Sequence, residues 1–453
     1  MDILKKNSLI FIATITACLI AIWPLPGTIA LRQLLLLTGL ILSIPIILTN
    51  GRFFLKKEAW PIWVLASFFL WLLVHLAFFS VNISEQLHEL QSDWLRALVS
   101  ATIGLSLGVV LLNYDKQTCR PDLKKMELIL IIGFSGSVTI FFLRYLYEIY
   151  ATQQWVHKDF YMTPFKSKTP IVIFGGVFLP LVFIKFSKVL VGHEKHHWAV
   201  FTFVGIFLVI FADYFANTKN GFAVLGFVFC IFIFNLIKTI NTSYKNSKFI
   251  WIAIFAILAI TAIGVKKHVD SNPAWLTLWS NIKVGVDIDR VENWKNVEIY
   301  SLPINELGVH VDGSTYERTA WAMAGLRLIS ENPQGYGLIH HSFGALAIKK
   351  WTDFSKPDGK TRGATHSGWI DFTLGLGIPG LLLVLIPLTI SFLRASRMKG
   401  FWPDYIVWTV PTIIFAYSIT EVSSDHFIEL LFFLSAFFCG MTIKKVGPEF
   451  NPY

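Results

Sequence analysis

The sequence has 453 residues, of which 54% are hydrophobic and 15% aromatic, with a mean hydropathy of +0.59. That composition excludes an ordinary soluble enzyme, and the repeated apolar runs of about 17 to 25 residues are each long enough to cross roughly 30 Å of hydrocarbon as a helix. In a soluble protein the formal charge of +10 would point to nucleic acid; in a membrane protein its distribution among loops matters more, and no nucleic-acid partner is expected.

The first apolar run, 8–23, follows Lys5 and Lys6 and has the outline of a signal peptide, but the many later runs favour a retained signal anchor. Pro24, Pro26 and Gly27 turn the chain into a second run at 28–49. Further runs lie at 60–80, 95–113, 126–147, 170–186, 198–215, 221–240 and 249–265. After a long polar stretch come 367–392, 405–419 and 427–443. The expected fold is an all-α polytopic membrane protein of about 12 transmembrane helices. Residues 1–265 carry helices one to nine, 266–366 form an outer loop of short amphipathic helices, and 367–453 carry helices ten to twelve.

Loop charge gives an independent check on orientation. With a cytoplasmic N-terminus, the inner loops carry Arg52, Lys56 and Lys57; Lys116, Arg120, Lys124 and Lys125; Lys185, Lys188 and Lys195; Lys238, Lys245 and Lys248; Arg394, Arg397 and Lys399; and Lys444 and Lys445. Every expected inner loop is basic, whereas the outer loops carry acids such as Glu85, Glu89, Asp93, Glu421 and Asp425. Both termini are therefore expected in the cytoplasm and the long loop outside it.

Within that loop, Ser314 and Glu317 have the spacing of a capping box, and the helix they open should stop at Asn332-Pro333, with Gly335 and Gly337 making the turn. Cys18, Cys119, Cys230 and Cys439 form no CxxC pair, so neither a disulfide framework nor a structural zinc site is expected. His340 and His341 are adjacent and diverge on a helix, a poor arrangement for a metal. No P-loop, dinucleotide fingerprint, HExxH or GxSxG occurs, so no metal and no cofactor are expected.

The chemistry concentrates in THSGWIDFTLGLGIPG, residues 365–380. His366 stands at the outer mouth of an apolar run, where an imidazole can serve as a general base near neutral pH. The same residue can be read as a helix-end histidine making one hydrogen bond, with Ser367 as N-cap and Gly375, Gly377 and Gly380 as close-packing positions. Outer cations run against the positive-inside bias: Arg32, Arg144, Lys219, Arg290, Arg318, Arg327 and Arg362. They suit either an anionic, phosphate-bearing ligand or local pairing with acids such as Glu148, Asp213, Asp287 and Asp289.

STYERTAWAMAGLRLISENPQGYG in the outer loop, THSGWIDFTLGLGIPG opening the next span and the NTKNG turn together resemble the bacterial O-antigen ligase and O-antigen polymerase superfamily. The resemblance implies a multi-pass glycosyltransferase of the bacterial inner membrane with its active site facing the periplasm. The implied donor is a glycan on undecaprenyl pyrophosphate, and the implied acceptor is a hydroxyl of lipid A-core or of another glycan. His366 matches the family histidine taken to deprotonate that hydroxyl, and Arg318 the arginine expected to hold the pyrophosphate. Lys219 falls where the family usually has an arginine, keeping the charge without the bidentate fork. Arg32 and Arg144 are further candidates for the pyrophosphate, and Trp275, Trp279, Trp294 and Trp321 for stacking on sugar rings or anchoring at the interface. Three alternatives stay open: the polymerase, a protein O-oligosaccharyltransferase, and, from a different class, a polyprenyl-glycan transporter or flippase. A transporter would be expected to show paired interrupted helices in two halves, a pattern not found in the sequence.

Overall fold

The computed structural model describes residues 2–113, 120–154, 164–190, 197–240, 262–267, 275–340, 342–351, 363–422 and 426–443, with isolated positions between them. Among these every regular element is helical, and the one β-type contact is an isolated bridge between Ile304 and His310. The principal helices are α1 (Asp2–Ile22), α2 (Ile29–Thr49), α3 (Trp60–Phe78), α4 (Ile83–Leu112), α5 (Arg120–Thr152), α6 (Thr169–Leu190), α7 (His197–Phe215) and α8 (Lys219–Ile240). After them come α9 (Leu278–Val286), α10 (Gly313–Glu331), α11 (Ser342–Lys350), α12 (Gly368–Ala395), α13 (Phe401–Ser418) and α14 (Phe427–Thr442).

Eight helices are long and apolar enough to cross a membrane, namely α2 to α8 and α12. Two shorter apolar helices, Ile10–Ile22 and Phe427–Thr442, coincide with the first and last expected runs, and α13 with the run at 405–419. The run at 249–265 lies largely outside the described residues. The central helix is α6, with 94% of its apolar window buried; α2, at 28%, is peripheral and leaves leucine and isoleucine side chains exposed. A helix apolar all round belongs in such a centre. The α4–α14 crossing is a backbone contact: a Cβ on Gly104 would lie 2.2 Å from the Phe433 carbonyl oxygen, and one on Gly108 2.4 Å from that of Phe437. Small residues four apart permit that approach, which dispersion then rewards.

The segment between α8 and α12 builds a cap with its own core of Trp294, Tyr316, Ala320, Trp321, Leu328 and Phe343, closed by Leu374 of α12. The cap also reaches into the bundle. Helix α12 breaks at Gly377, whose φ of 72° and ψ of 177° interrupt the backbone ladder. The break lies about 14 Å along the axis from the start of the helix, at a rise of 1.5 Å per residue. Unpaired backbone at that depth is tolerated only where protein satisfies it. The turn after α10 does so: the Tyr336 N–H donates to the Leu374 and Gly375 carbonyls (2.9 and 3.1 Å), Gly337 N–H to Gly375 (2.6 Å), and Ile378 N–H to the Pro333 carbonyl (2.8 Å). Trp71 Nε1 donates to Leu376 (2.8 Å). Gly335, at φ 87°, packs so closely on the break that a Cβ there would sit 2.3 Å from the Gly377 nitrogen. The outer segment thus does more than lie on the bundle, because part of it plugs a broken span.

Candidate functional site

Helix α10 opens two residues earlier than the expected capping box. Asp312 is its N-cap and accepts from the Thr315 N–H (3.0 Å), Thr315 Oγ1 (2.6 Å) and Ser314 Oγ (2.8 Å). A carboxylate is a stronger acceptor than the Ser314 hydroxyl, which here serves as one of its donors. Lys219 Nζ, at the start of α8, completes the cluster at 3.0 Å from Asp312 and 3.3 Å from Ser314 Oγ. Burial opposes the charge on Asp312, but the bonds from Thr315, Ser314 and Lys219 outweigh it and hold its pKa below the ordinary carboxylate value.

His366 stands just before α12. Ser367 occupies the N-cap position of α12, but its side chain makes no capping bond. The first turn is instead fixed by Asp371, whose Oδ1 accepts from both the Thr365 N–H and Thr365 Oγ1 at 2.8 Å. His366 follows in the left-handed region at φ 59°, a conformation that costs a non-glycine residue about 1–3 kcal/mol and persists where its surroundings over-determine it. The imidazole lies against Trp321 of α10, ring centroids 5.7 Å apart, and its Nδ1 is 2.6 Å from Glu421 Oε1 in the loop after α13. An ionised carboxylate can only accept, so Nδ1 carries the hydrogen and Nε2 keeps a basic lone pair.

Arg318 lies one turn before Trp321 on α10, which puts both on neighbouring positions of one face. Its side chain is exposed and forms no hydrogen bond or ion pair with a described residue. Desolvation lowers its pKa, and the charges of Glu421, Asp312 and Glu317 partly offset that effect. The site therefore joins an oriented imidazole, an indole tilted against it and a guanidinium without a hydrogen-bond or ion-pair partner among the described residues, with a paired lysine nearby.

The other expected residues lie elsewhere or are locally engaged. Arg32 is buried and donates to the Trp23 carbonyl at the end of α1 (2.8 Å). Arg144 pairs with Glu148 on its own helix (3.1 Å) and packs on Tyr147. Arg327 makes a two-pronged contact with Asp289, Arg290 stands 3.6 Å from Asp287, and Arg362 lies outside the described residues. Trp294 and Trp321 are both buried in the cap core, Trp294 donating to Ile288, whereas Trp275 is half-buried and Trp279 exposed. Sequence reading noted Glu421 as an outer acid and missed its partnership with His366.

A second polar network surrounds Arg96 of α4, near the π-helical turn Leu90–Trp94. Arg96 pairs with Asp93 and with Glu429 (2.8 Å), and Glu429 also holds His426 Nδ1 (2.8 Å). His340 Nε2 meets Asp93 at 3.1 Å, while Glu89 accepts the backbone N–H groups of Ile339 and His340.

Residues 204–385 match the family described as O-antigen ligase. The matched segment contains Lys219, Arg318 and His366, and leaves Arg32, Arg144 and Glu421 outside. The match supports the O-antigen ligase and polymerase superfamily to which the motifs point, and with it a membrane enzyme of glycosyltransferase type acting on lipid-linked glycans. A search of curated proteins gives no match.

Proposed function

We propose that this chain, a membrane protein of the O-antigen ligase and polymerase superfamily, is an O-antigen ligase. In this reading it transfers a glycan from undecaprenyl pyrophosphate to a hydroxyl of lipid A-core, at the periplasmic face of the inner membrane, with both termini in the cytoplasm. The observation that carries the reading is the His366–Glu421 contact of 2.6 Å, within the electrostatic reach of an arginine that has no hydrogen-bond or ion-pair partner among the described residues. His366 Nε2 takes the acceptor proton as the hydroxyl oxygen attacks the anomeric carbon, and Glu421 holds Nδ1–H and balances the imidazolium that forms. Attack opposite the leaving group inverts the anomeric centre and releases undecaprenyl pyrophosphate. The leaving group gains negative charge as its bond breaks, and Arg318 meets that charge with a planar fork of donors. Lys219 adds a point charge once an anion competes with Asp312. Arg32 and Arg144 would reach the pyrophosphate only by giving up the Trp23 carbonyl and Glu148. Neither a nucleotide sugar nor a metal enters the step.

Deletion of the gene followed by lipopolysaccharide profiling tests substrate and reaction together. A ligase deletion leaves bare core. Core capped by one repeat unit would assign the polymerase instead, and lost glycosylation of a protein acceptor an O-oligosaccharyltransferase. Transport by purified protein in liposomes without glycan transfer would assign a flippase.

A further inference from the structure

We infer that Asp371 is the positioning residue of the His366 site, acting through Thr365 and by geometry rather than by charge. The inference rests on the reading of His366 as the general base. Asp371 lies in the first turn of α12 with its side chain almost wholly buried, and Oδ1 takes both hydrogen-bond donors of Thr365. Its Oδ2 has no hydrogen-bond partner among the described residues, so the carboxyl is committed to one neighbour. Thr365 is also buried, and its Oγ1 accepts the Ser367 N–H at 3.2 Å, so the residues on both sides of His366 are tied to one hydroxyl.

The third restraint comes from α10. A Cβ on Gly325 would lie 3.0 Å from Thr365 Cγ2 and 2.6 Å from Ile370 Cγ2, so α10 packs directly on this turn. Trp321, one helical turn before Gly325, thereby comes to lie on the His366 ring. Asp371 from below and Gly325 from the side leave Thr365 one position, and the left-handed backbone of His366 follows from it. Glu421 then fixes which nitrogen faces outward. Oδ1 of Asp371 is taken by Thr365 and Oδ2 has no hydrogen-bond partner among the described residues, so the hydrogen bonds of the carboxyl reach His366 only through this backbone. Its charge lies close enough to act on the imidazole directly, which is the alternative that the asparagine variant tests.

The substitutions separate geometry from charge. Asp371→Ala removes the acceptor and is expected to lower kcat roughly 10- to 100-fold, the effect of a misplaced catalytic group, with KM for the lipid donor within about two-fold of wild type. Asp371→Asn keeps an acceptor oxygen without the charge, and should hold kcat within about three-fold. Hydrogen exchange over residues 363–371, read by mass spectrometry, should accelerate about ten-fold in the alanine variant and stay near wild type in the asparagine variant, because the Thr365 amide loses its buried partner only in the first. Thr365→Ala, which removes one of the two donors, should show a smaller loss of kcat and faster exchange, and it decides the question if the alanine variant at 371 fails to insert.

Full kcat in an inserted Asp371→Ala protein, or unchanged exchange and kcat in Thr365→Ala, would overturn the inference. So would an asparagine variant as impaired as alanine, since charge would then be what matters. His366→Ala, run alongside, isolates the underlying reading: if it stays active, the general-base assignment fails, while the exchange data still report whether Asp371 holds the turn.

Discussion

The two polar clusters use similar residue types to different ends. Around Arg96, each cation meets a carboxylate: Arg96 has Asp93 and Glu429, His426 has Glu429, and His340 has Asp93. Around His366, Glu421 occupies one imidazole nitrogen, while the other nitrogen and the Arg318 guanidinium have no hydrogen-bond partner among the described residues. The first network, saturated at its arginine, joins α4, α14 and the chain after α10 through paired charges. The second leaves its arginine without an ion-pair partner among the described residues, an arrangement that suits a ligand arriving from outside.

Substitutions in each cluster should therefore separate activity from stability. His366→Ala should show the largest effect, a loss of roughly 10²- to 10⁴-fold in transfer rate with normal membrane insertion, measured by glycan transfer in membranes. Glu421→Gln should cost a comparable but smaller factor, about 10²-fold, because an amide offers both donor and acceptor and no longer fixes the tautomer. Arg318→Ala should lower kcat about 10²-fold, and Arg318→Lys should restore little of it, since a lysine cannot present the fork. Arg96→Ala should do the reverse, costing roughly 3 kcal/mol of stability by leaving Glu429 and Asp93 without their cation, with turnover per folded molecule unchanged. A thermal-shift assay paired with specific activity separates these classes; an Arg96→Ala protein that is stable but inactive would erase the contrast.

The smallest expected effect is a pH dependence within the saturated network. Burial pulls the His340 pKa down, but the Asp93 hydrogen bond and the charges of Glu89, Asp93 and Glu429 outweigh it and raise the value above 6.5. A raised histidine pKa contributes stability that is fully present below 6.5 and fades as pH climbs through the folded-state value. With the side chain 36% exposed, solvent screening limits the contribution to about 0.5–1 kcal/mol. Denaturation profiles from pH 5 to 9 should show this slope in the wild type and lose it in His340→Gln.

Much of the scaffold was legible in the sequence because apolar length and loop charge are local signals. Runs such as 28–49 and 198–215 reappear as helices with nearly the same limits. The helix around Arg318 and its stop at Asn332 were also visible, since caps and Pro-Gly turns are written in adjacent residues. The partner of His366 was not: Glu421 comes from a loop after another helix, and no period along the chain says which loops meet. Gly377 was read as a packing glycine, and its left-handed break shows only once Pro333 and Tyr336 are seen filling it. Ser314 has the spacing to Glu317 that marks a capping box in sequence, whereas the lysine that meets Asp312, the cap in the structure, is 93 residues away along the chain.

The plugged break in α12 also limits how the enzyme can be loaded. Lifting the cap away from the bundle would strand the backbone groups of Tyr336, Gly337, Gly375 and Ile378 inside an apolar interior, at about 1–3 kcal/mol for each unsatisfied group. The roof is riveted to the deck, which sets a cost against its swinging open. On the proposed function, the lipid-linked donor is expected to enter sideways from the bilayer, between spans, and its spent carrier to leave the same way.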